Sequence, residues 1–169
     1  MKAKSIILIS MFIILIVSAV SAQQINLSGH WLLNSSKSTF ENVPLYVIFN
    51  KMTIAQKKDS IFIKSENENG TTAYGSTLTY PLNGNTTERI VHDNLKDVGS
   101  FKWSNDAKSL IRNQSYSPIN NPKDTTQKID EIWYLSDKGD ELVIERTFTS
   151  FNRSQVSYTI RAVFDKQSK

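Results

Sequence analysis

From residue 23 onward, apolar and polar residues alternate in short runs, and turn-forming residues separate these runs about every eight to twelve positions. In a β-strand, residues two positions apart point to the same face, so alternation predicts strands with one apolar face each. The last run is the clearest example, because its apolar residues would all share one face: Val156, Tyr158, Ile160, Ala162 and Phe164. After residue 22, no segment shows the spacing of a helix.

Ten strands are predicted in this way, near residues 29–34, 45–56, 60–68, 72–82, 86–94, 98–104, 109–117, 127–136, 141–150 and 156–166. Most connections are short, so strands that follow each other are expected to pair as antiparallel hairpins. With no helical layer to cover their apolar faces, the strands must close on themselves or form two sheets. We therefore predict an all-β fold, an antiparallel meander β-barrel of about 8–10 strands.

A short hairpin repeat helps to assign the faces of the strands. A strand, a polar turn and a second strand occur three times, and the second strands align at Ile61, Leu110 and Leu142. Two residues further on, Arg112 corresponds to an isoleucine in both other copies. Two residues beyond that, Gln114 corresponds to Arg146. Arg112 therefore occupies a position that is apolar elsewhere in the repeat.

If this face lines the barrel, Arg112, Gln114, Tyr116 and Arg146 lie together inside it. A buried guanidinium group needs a partner, and it binds a carboxylate well through two parallel hydrogen bonds. These four residues are the predicted ligand-binding site, and the expected partner is a small hydrophobic or carboxylate-bearing molecule. The alternative is that the strand twists or bulges and leaves Arg112 in solvent.

The first 22 residues differ from the rest of the chain. Lys2 and Lys4 precede an apolar stretch, 6–20, and Val20-Ser21-Ala22 places compact residues before Gln23. This is the layout of a cleaved secretory signal peptide. We therefore divide the chain into a signal peptide, 1–22, and a barrel domain, 23–169, with no membrane span after cleavage. A membrane anchor is the alternative, although a spanning helix needs roughly 20 apolar residues.

The amino-acid composition bears on the class of partner and on the cellular location of the protein. The chain has 169 residues, no cysteine and a formal net charge of +4, to which Lys2 and Lys4 contribute two charges. So small a charge gives no support for a nucleic-acid partner. A domain of this size can fold without disulfides, and their absence from an exported chain favours a bacterial source. We expect a secreted or periplasmic bacterial protein.

The sequence contains none of the familiar catalytic or metal-binding patterns. It has no nucleophile elbow, phosphate loop or calcium loop. The only histidines, His30 and His92, are far apart, and without cysteine they make no zinc cluster. We predict no cofactor and no metal, and we expect that the protein is not an enzyme.

Two segments carry a resemblance to a known family. Gly29-His30-Trp31 opens the first predicted strand, and Glu131-Ile132-Trp133-Tyr134-Leu135-Ser136-Asp137 occurs later in the chain. Gly29-x-Trp31 resembles the opening motif of lipocalins. Its continuation, Leu33-Asn34-x-x-Lys37-Ser38-x-Phe40, and the later segment resemble small exported lipocalin-like proteins of Bacteroidetes and related bacteria. The resemblance implies a lipocalin-like (calycin) barrel that binds a small hydrophobic or amphipathic ligand. The alternatives are a structural or protein-interaction barrel with a filled core, and an enzyme that acts on a lipid-like substrate.

The same resemblance implies how one end of the barrel is closed. Trp31 would plug the narrow end, and Gly29 would let the backbone pass beneath the ring. An arginine from the end of the chain would pack over the ring, and Arg161 is better placed for this than Arg146. The alternative is that Trp31 is an ordinary aromatic residue of the core.

Overall fold

The computed structural model describes residues 24–40, 49–67, 72–91, 94–151 and 156–168. The predicted signal peptide, His92 and the start of the predicted strand 45–56 lie outside these residues. Within them, the chain forms eleven strands and one 3-10 turn, Ser35–Lys37. The strands are β1 (Gly29–Leu33), β2 (Thr39–Phe40), β3 (Lys51–Gln56), β4 (Ser60–Glu66), β5 (Thr72–Pro81), β6 (Asn83–Val91), β7 (Leu95–Trp103), β8 (Ser109–Pro118), β9 (Gln127–Leu135), β10 (Glu141–Ser150) and β11 (Val156–Gln167).

One antiparallel sheet contains all of these strands. Its order is β5-β4-β3-β1-β11-β10-β9-β8-β7-β6, and β2 pairs separately with β11. β1 joins the two ends of the chain, because it pairs with β3 on one side and with β11 on the other. The sheet curls into a nearly closed barrel of ten strands. The prediction of an all-β antiparallel meander barrel is confirmed.

The two ends of the barrel differ in the connections that they carry. Tight turns at 57–59, 82, 104–108 and 136–140 lie at one end. We name this the closed end, because the Gln56 side chain binds the backbone of Ile25 and Leu27 there. The connections that follow β2, β4, β6, β8 and β10 all leave from the opposite end, which we name the open end.

Apolar side chains fill the half of the barrel next to the closed end. Inward-facing residues of nearly every strand contribute to one core cluster, which consists of Leu27, Trp31, Met52, Ile54, Ile61, Ile63, Tyr80, Leu82, Phe101, Leu110, Trp133, Leu142, Ile144, Ala162 and Phe164. Burial of these side chains is the main source of stability for such a sheet.

Trp31 lies at the closed end, as the prediction of barrel closure requires. Its ring is 1% exposed, and its Nε1 donates a hydrogen bond of 2.9 Å to the Leu27 carbonyl oxygen. Gly29 has a φ of +152°, which favours glycine over residues with a side chain. A Cβ atom there would lie 3.3 Å from Lys166 Cε and 3.6 Å from Trp31 Nε1. Gly29 therefore makes room for the ring.

The predicted role of Arg161 is wrong. Lys166 supplies the cation over Trp31, with its Nζ 5.4 Å from the ring centroid. Arg161 is exposed on the outer face of β11, where it donates to the Lys37 carbonyl oxygen at 3.3 Å. Residues two apart in a strand point to the same face, so Lys166 shares the inward face of Phe164. Arg161 is three residues from Phe164 and therefore points to the opposite face. Arg146, the second candidate, lies in the polar interior described below.

Candidate functional site

The hairpin repeat places its three copies in equivalent environments. Ile63, Arg112 and Ile144 are all buried, and Arg112 is only 7% exposed. The alternative that Arg112 lies in solvent is therefore wrong. Gln114 is also buried, Tyr116 is partly buried, and Arg146 projects from the same face of β10. The structure thus brings together the four residues that were predicted to share the barrel interior.

A carboxylate of the chain itself lies between the two arginines. Glu131 on β9 is directly opposite Arg112 on β8 and Arg146 on β10. Arg112 donates to Glu131 Oε2 at 2.9 Å and Arg146 Nε donates to Oε1 at 2.5 Å. Trp133 Nε1 also donates to Oε2, at 2.8 Å. Glu131 is 1% exposed, so these contacts replace the water that its charge needs.

A second buried carboxylate, Asp97, extends this arrangement toward β6. The Gln114 amide group links the two halves, because its Oε1 accepts from Arg112 at 2.5 Å and its Nε2 donates to Asp97 at 2.8 Å. Arg89 Nε donates to Asp97 at 2.6 Å, and Gln114 Nε2 donates to the Tyr116 hydroxyl oxygen at 2.8 Å. We name the connected residues the polar layer: Arg89, Asp97, Arg112, Gln114, Tyr116, Glu131 and Arg146.

Glu131 and Arg112 are charged at neutral pH, because each favours the ionised form of the other. Burial by itself would raise the pKa of Glu131, but the charges of Arg146 and Arg112 and the hydrogen bonds from Arg112 and Trp133 lower it to about 2. Burial would lower the pKa of Arg112, yet Glu131 and Tyr80 raise it overall. Burial and the nearby charge of Asp97 raise the pKa of Tyr116 to about 12, so its hydroxyl group keeps its proton.

Aromatic rings separate the polar layer from the apolar core. The Arg112 guanidinium carbon lies 5.8 Å from the Tyr80 ring centroid and 5.6 Å from that of Phe101, which are cation–π distances. Phe101 also meets Trp133 edge to face, with ring centroids 5.4 Å apart. Gly99 makes this packing possible, because a Cβ atom there would lie 2.8 Å from Tyr80 Cε1.

Glu131 and Asp97 were not among the site residues predicted from the sequence. A usable signal existed in both cases, because each acidic residue shares a strand face with apolar residues. Glu131 shares a strand face with Trp133 and Leu135. Asp97 shares a face with Gly99 and Phe101. An acidic residue on a buried face needs a positively charged or hydrogen-bonding partner.

The inner wall beyond the polar layer, toward the open end, is less completely covered. Phe148 lies opposite Ile129 and Tyr158, and the rings of Phe148 and Tyr158 stack with centroids 4.7 Å apart. These three residues and Tyr116 are partly exposed, although they share the inward face of Arg146 and Gln114. In the closed half, by contrast, the inward-facing residues of the core cluster are fully buried.

The structure adds little on metals or membranes. Among the described residues, no group of three or more His, Cys, Asp and Glu side chains is arranged to hold a metal ion. His30 is exposed and its Nδ1 lies 3.1 Å from Thr53 Oγ1. In the same part of the chain, no helix has the length and apolar character to cross a membrane.

Comparisons of the chain with protein-family models, curated proteins and solved structures found no match.

Proposed function

We propose that this protein is a non-enzymatic barrel that binds a small apolar or amphipathic molecule in the open half of its interior. One observation carries the proposal: Tyr116, Ile129, Phe148 and Tyr158 face inward yet stay partly exposed. Mostly apolar walls with a few polar groups at one place are typical of small-molecule sites. The polar layer would form the floor of this site. The apolar tail of the ligand would lie between the aromatic walls above it.

The arrangement also refines which residues meet the ligand. Arg112 is enclosed, and Glu131 already occupies the position that was predicted for a ligand carboxylate. We therefore propose that Arg112 and Gln114 hold the floor in place. The groups that would meet a ligand are Arg146 and Tyr116, whose hydroxyl oxygen accepts a hydrogen bond from Gln114.

A barrel with a filled core is the second candidate. The internal pairing of Arg112 with Glu131 and Gln114 supports it, because a carboxylate and an amide of the chain itself accept hydrogen bonds that a ligand would otherwise accept. Native mass spectrometry of the purified protein, followed by lipid extraction, separates the candidates. A co-purified small molecule supports the binding protein, and its absence supports the filled module.

A titration with oleic acid and with its methyl ester tests the proposed site. Phe148→Ala should weaken the binding of both molecules by about 1.5–3 kcal/mol, because it removes an apolar wall. Arg146→Met should weaken only the acid, by about 1.5–3 kcal/mol, the usual value of a charged hydrogen bond. Isothermal titration calorimetry would measure both effects.

Thr149→Ala is the matched control for this titration, since Thr149 neighbours Phe148 but points to the outer face of β10. It should leave both affinities unchanged. If the wild-type protein binds neither molecule, or if Phe148→Ala and Thr149→Ala behave alike, the open half of the barrel is not the site.

We further propose that the chain is exported by a bacterium and is related to the lipocalin-like proteins that its first strand resembles. The charged start, apolar stretch and compact residues of 1–22 support export. The buried Trp31 behind Gly29 at the closed end supports the relationship.

The intact mass of the protein purified from the periplasm or medium of an expressing bacterium checks the export step. We expect a chain that begins at Gln23, with or without cyclisation of that residue. A mature protein that still contains the apolar stretch 6–20 would instead be membrane-anchored, and the assignment to the periplasm or medium would then be wrong.

A further inference from the structure

The carboxylates of the polar layer are enclosed by donors of the chain itself. They belong to Glu131 and Asp97, and each of these residues is only 1% exposed. Both Glu131 oxygens accept hydrogen bonds from neighbouring side chains. Both Asp97 oxygens accept from Gln114, and Oδ2 also accepts from Arg89. The two carboxylates therefore offer almost no accepting surface to a molecule in the open half of the barrel.

The side-chain amide of Gln114 has one favourable orientation among these neighbours. Its Oε1 lies 2.5 Å from Arg112 Nη2, and a guanidinium group has donors only. Its Nε2 lies 2.8 Å and 2.9 Å from the two oxygens of Asp97, which is ion-paired with Arg89. Turning the amide over would place a donor against Arg112 and an acceptor against Asp97. The neighbours of Gln114 therefore determine which of its ends donates.

Gln114 in turn limits how the Tyr116 hydroxyl group can bond. Gln114 Nε2 has two hydrogens, and its second partner is the Tyr116 hydroxyl oxygen, at 2.8 Å. An amide nitrogen does not accept hydrogen bonds, so the hydroxyl proton of Tyr116 must be donated elsewhere. Among the described residues, no acceptor is in hydrogen-bonding contact with this hydroxyl group. Tyr116 therefore reaches the interior as a donor in need of an acceptor.

The other partly exposed groups of the polar layer are also donors. The side chains of Arg89 and Arg146 are 25% and 11% exposed, and arginine carries no acceptor atom. The floor of the proposed site thus combines accessible donors with enclosed acceptors. This asymmetry bears on the head group of a ligand, because a polar group that leaves water needs a partner of the opposite kind.

We propose that Tyr116 is a specificity-determining residue, and that the site selects molecules whose head group accepts hydrogen bonds and donates none, such as a ketone, an ester or a carboxylate. The inference rests on the proposed function, because it concerns the ligand of the same interior. A head group that only donates, such as an alkylammonium group, would meet donors alone. It would lose its hydrogen bonds to water without replacement.

Two neutral molecules with the hydrocarbon tail of oleic acid test this inference. One is the methyl ketone, and the other is the hydrocarbon in which a methylene group replaces the ketone oxygen. They have nearly the same shape, but only the ketone accepts a hydrogen bond. Tyr116→Phe keeps the ring and removes the donor. It should weaken the binding of the ketone about two- to tenfold, the usual effect of one neutral hydrogen bond, and leave the binding of the hydrocarbon unchanged. Isothermal titration calorimetry of the full mature chain would measure both affinities.

Tyr134→Phe is the matched control, because the Tyr134 hydroxyl group donates to Glu145 on the outer face of the barrel. It should alter neither affinity. Oleylamine, which has the same tail and a donating ammonium group, should bind to the wild type at least about tenfold more weakly than the ketone.

The same measurements separate this inference from the proposed function. If Tyr116→Phe leaves the affinity for the ketone unchanged, or if oleylamine binds as tightly as the ketone, the inference is overturned while a binding site in the open half remains. If the wild type binds neither neutral molecule and no oleic acid, the proposed function fails, and the inference fails with it.

Discussion

Replacing Glu131 with glutamine should destabilise the protein by about 3–5 kcal/mol, the usual effect of removing one partner from a buried ion pair. The carboxylate of Glu131 binds Arg112, Arg146 and Trp133 at once. A neutral amide would leave guanidinium charge in the interior without its counterion. Urea unfolding, followed by circular dichroism, measures the change in the free energy of unfolding.

Asp130→Asn is the matched control for this substitution. Asp130 is the preceding residue on β9, but it points outward, and its carboxylate pairs with Lys128 at the surface. Such exposed pairs are worth about 0–1 kcal/mol. A loss for Glu131→Gln no greater than that for Asp130→Asn would show that Glu131 is not buried between the arginines.

The ion pairs of Glu131 with Arg112 and Arg146 also predict how stability depends on pH. The pKa of Glu131 is about 2 in the folded chain, against an ordinary value of 4.5. Because the folded value is the lower one, ionised Glu131 stabilises the fold above pH 4.5, and this contribution is lost as the pH falls from 4.5 toward 2. The pKa difference corresponds to about 3 kcal/mol. Glu131→Gln should therefore have a flatter pH profile than the wild type in this window.

Replacing Trp31 with alanine should also cost about 3–5 kcal/mol, because it removes a large buried ring and leaves a cavity at the closed end. The substitution additionally leaves the Leu27 carbonyl oxygen without the indole N–H. Thermal and urea unfolding would measure the loss. Leu32→Ala is the control, since Leu32 is 39% exposed on the opposite face of β1. It should change stability by about 0.5 kcal/mol or less. A similarly small loss for Trp31→Ala would contradict the closure of this end by the ring.

The strands were predictable because their alternation is unusually regular. β10 was predicted at 141–150 and is observed at Glu141–Ser150, while β11 differs from its prediction by one residue at its end. β2 and the turn at Ser35–Lys37 were missed because two or three residues are too few to show a period. The pairing of β2 with β11 instead depends on where the neighbouring chain lies.

The alternation along each strand predicted which residues of the candidate site face inward. It did not predict which of them pair across neighbouring strands. Comparison of the repeats placed Arg112 on an inward face, and the structure agrees. Which residue pairs with it depends on the register between β8 and β9, which one strand's own sequence does not contain. The choice of Arg161 over Lys166 failed for a similar reason. Arg161 was chosen because it is an arginine near the end of the chain. The residue opposite Trp31 is instead set by the register between β1 and β11, and that residue is Lys166.

The different connections at the two ends imply that the ends can diverge at different rates in evolution. At the closed end, Ser104 and Ser136 bond across their turns to Ser109 and Glu141, so the turns set the register of the strands that follow. An insertion there would shift a whole strand and exchange its inner and outer faces. At the open end, the connections that follow β2 and β8 span residues 41–50 and 119–126, and both are longer than any turn at the closed end. Loops of this kind tolerate changes in length and carry most functional variation. One half of the molecule could thus be conserved as a framework while relatives acquire different specificities at the other.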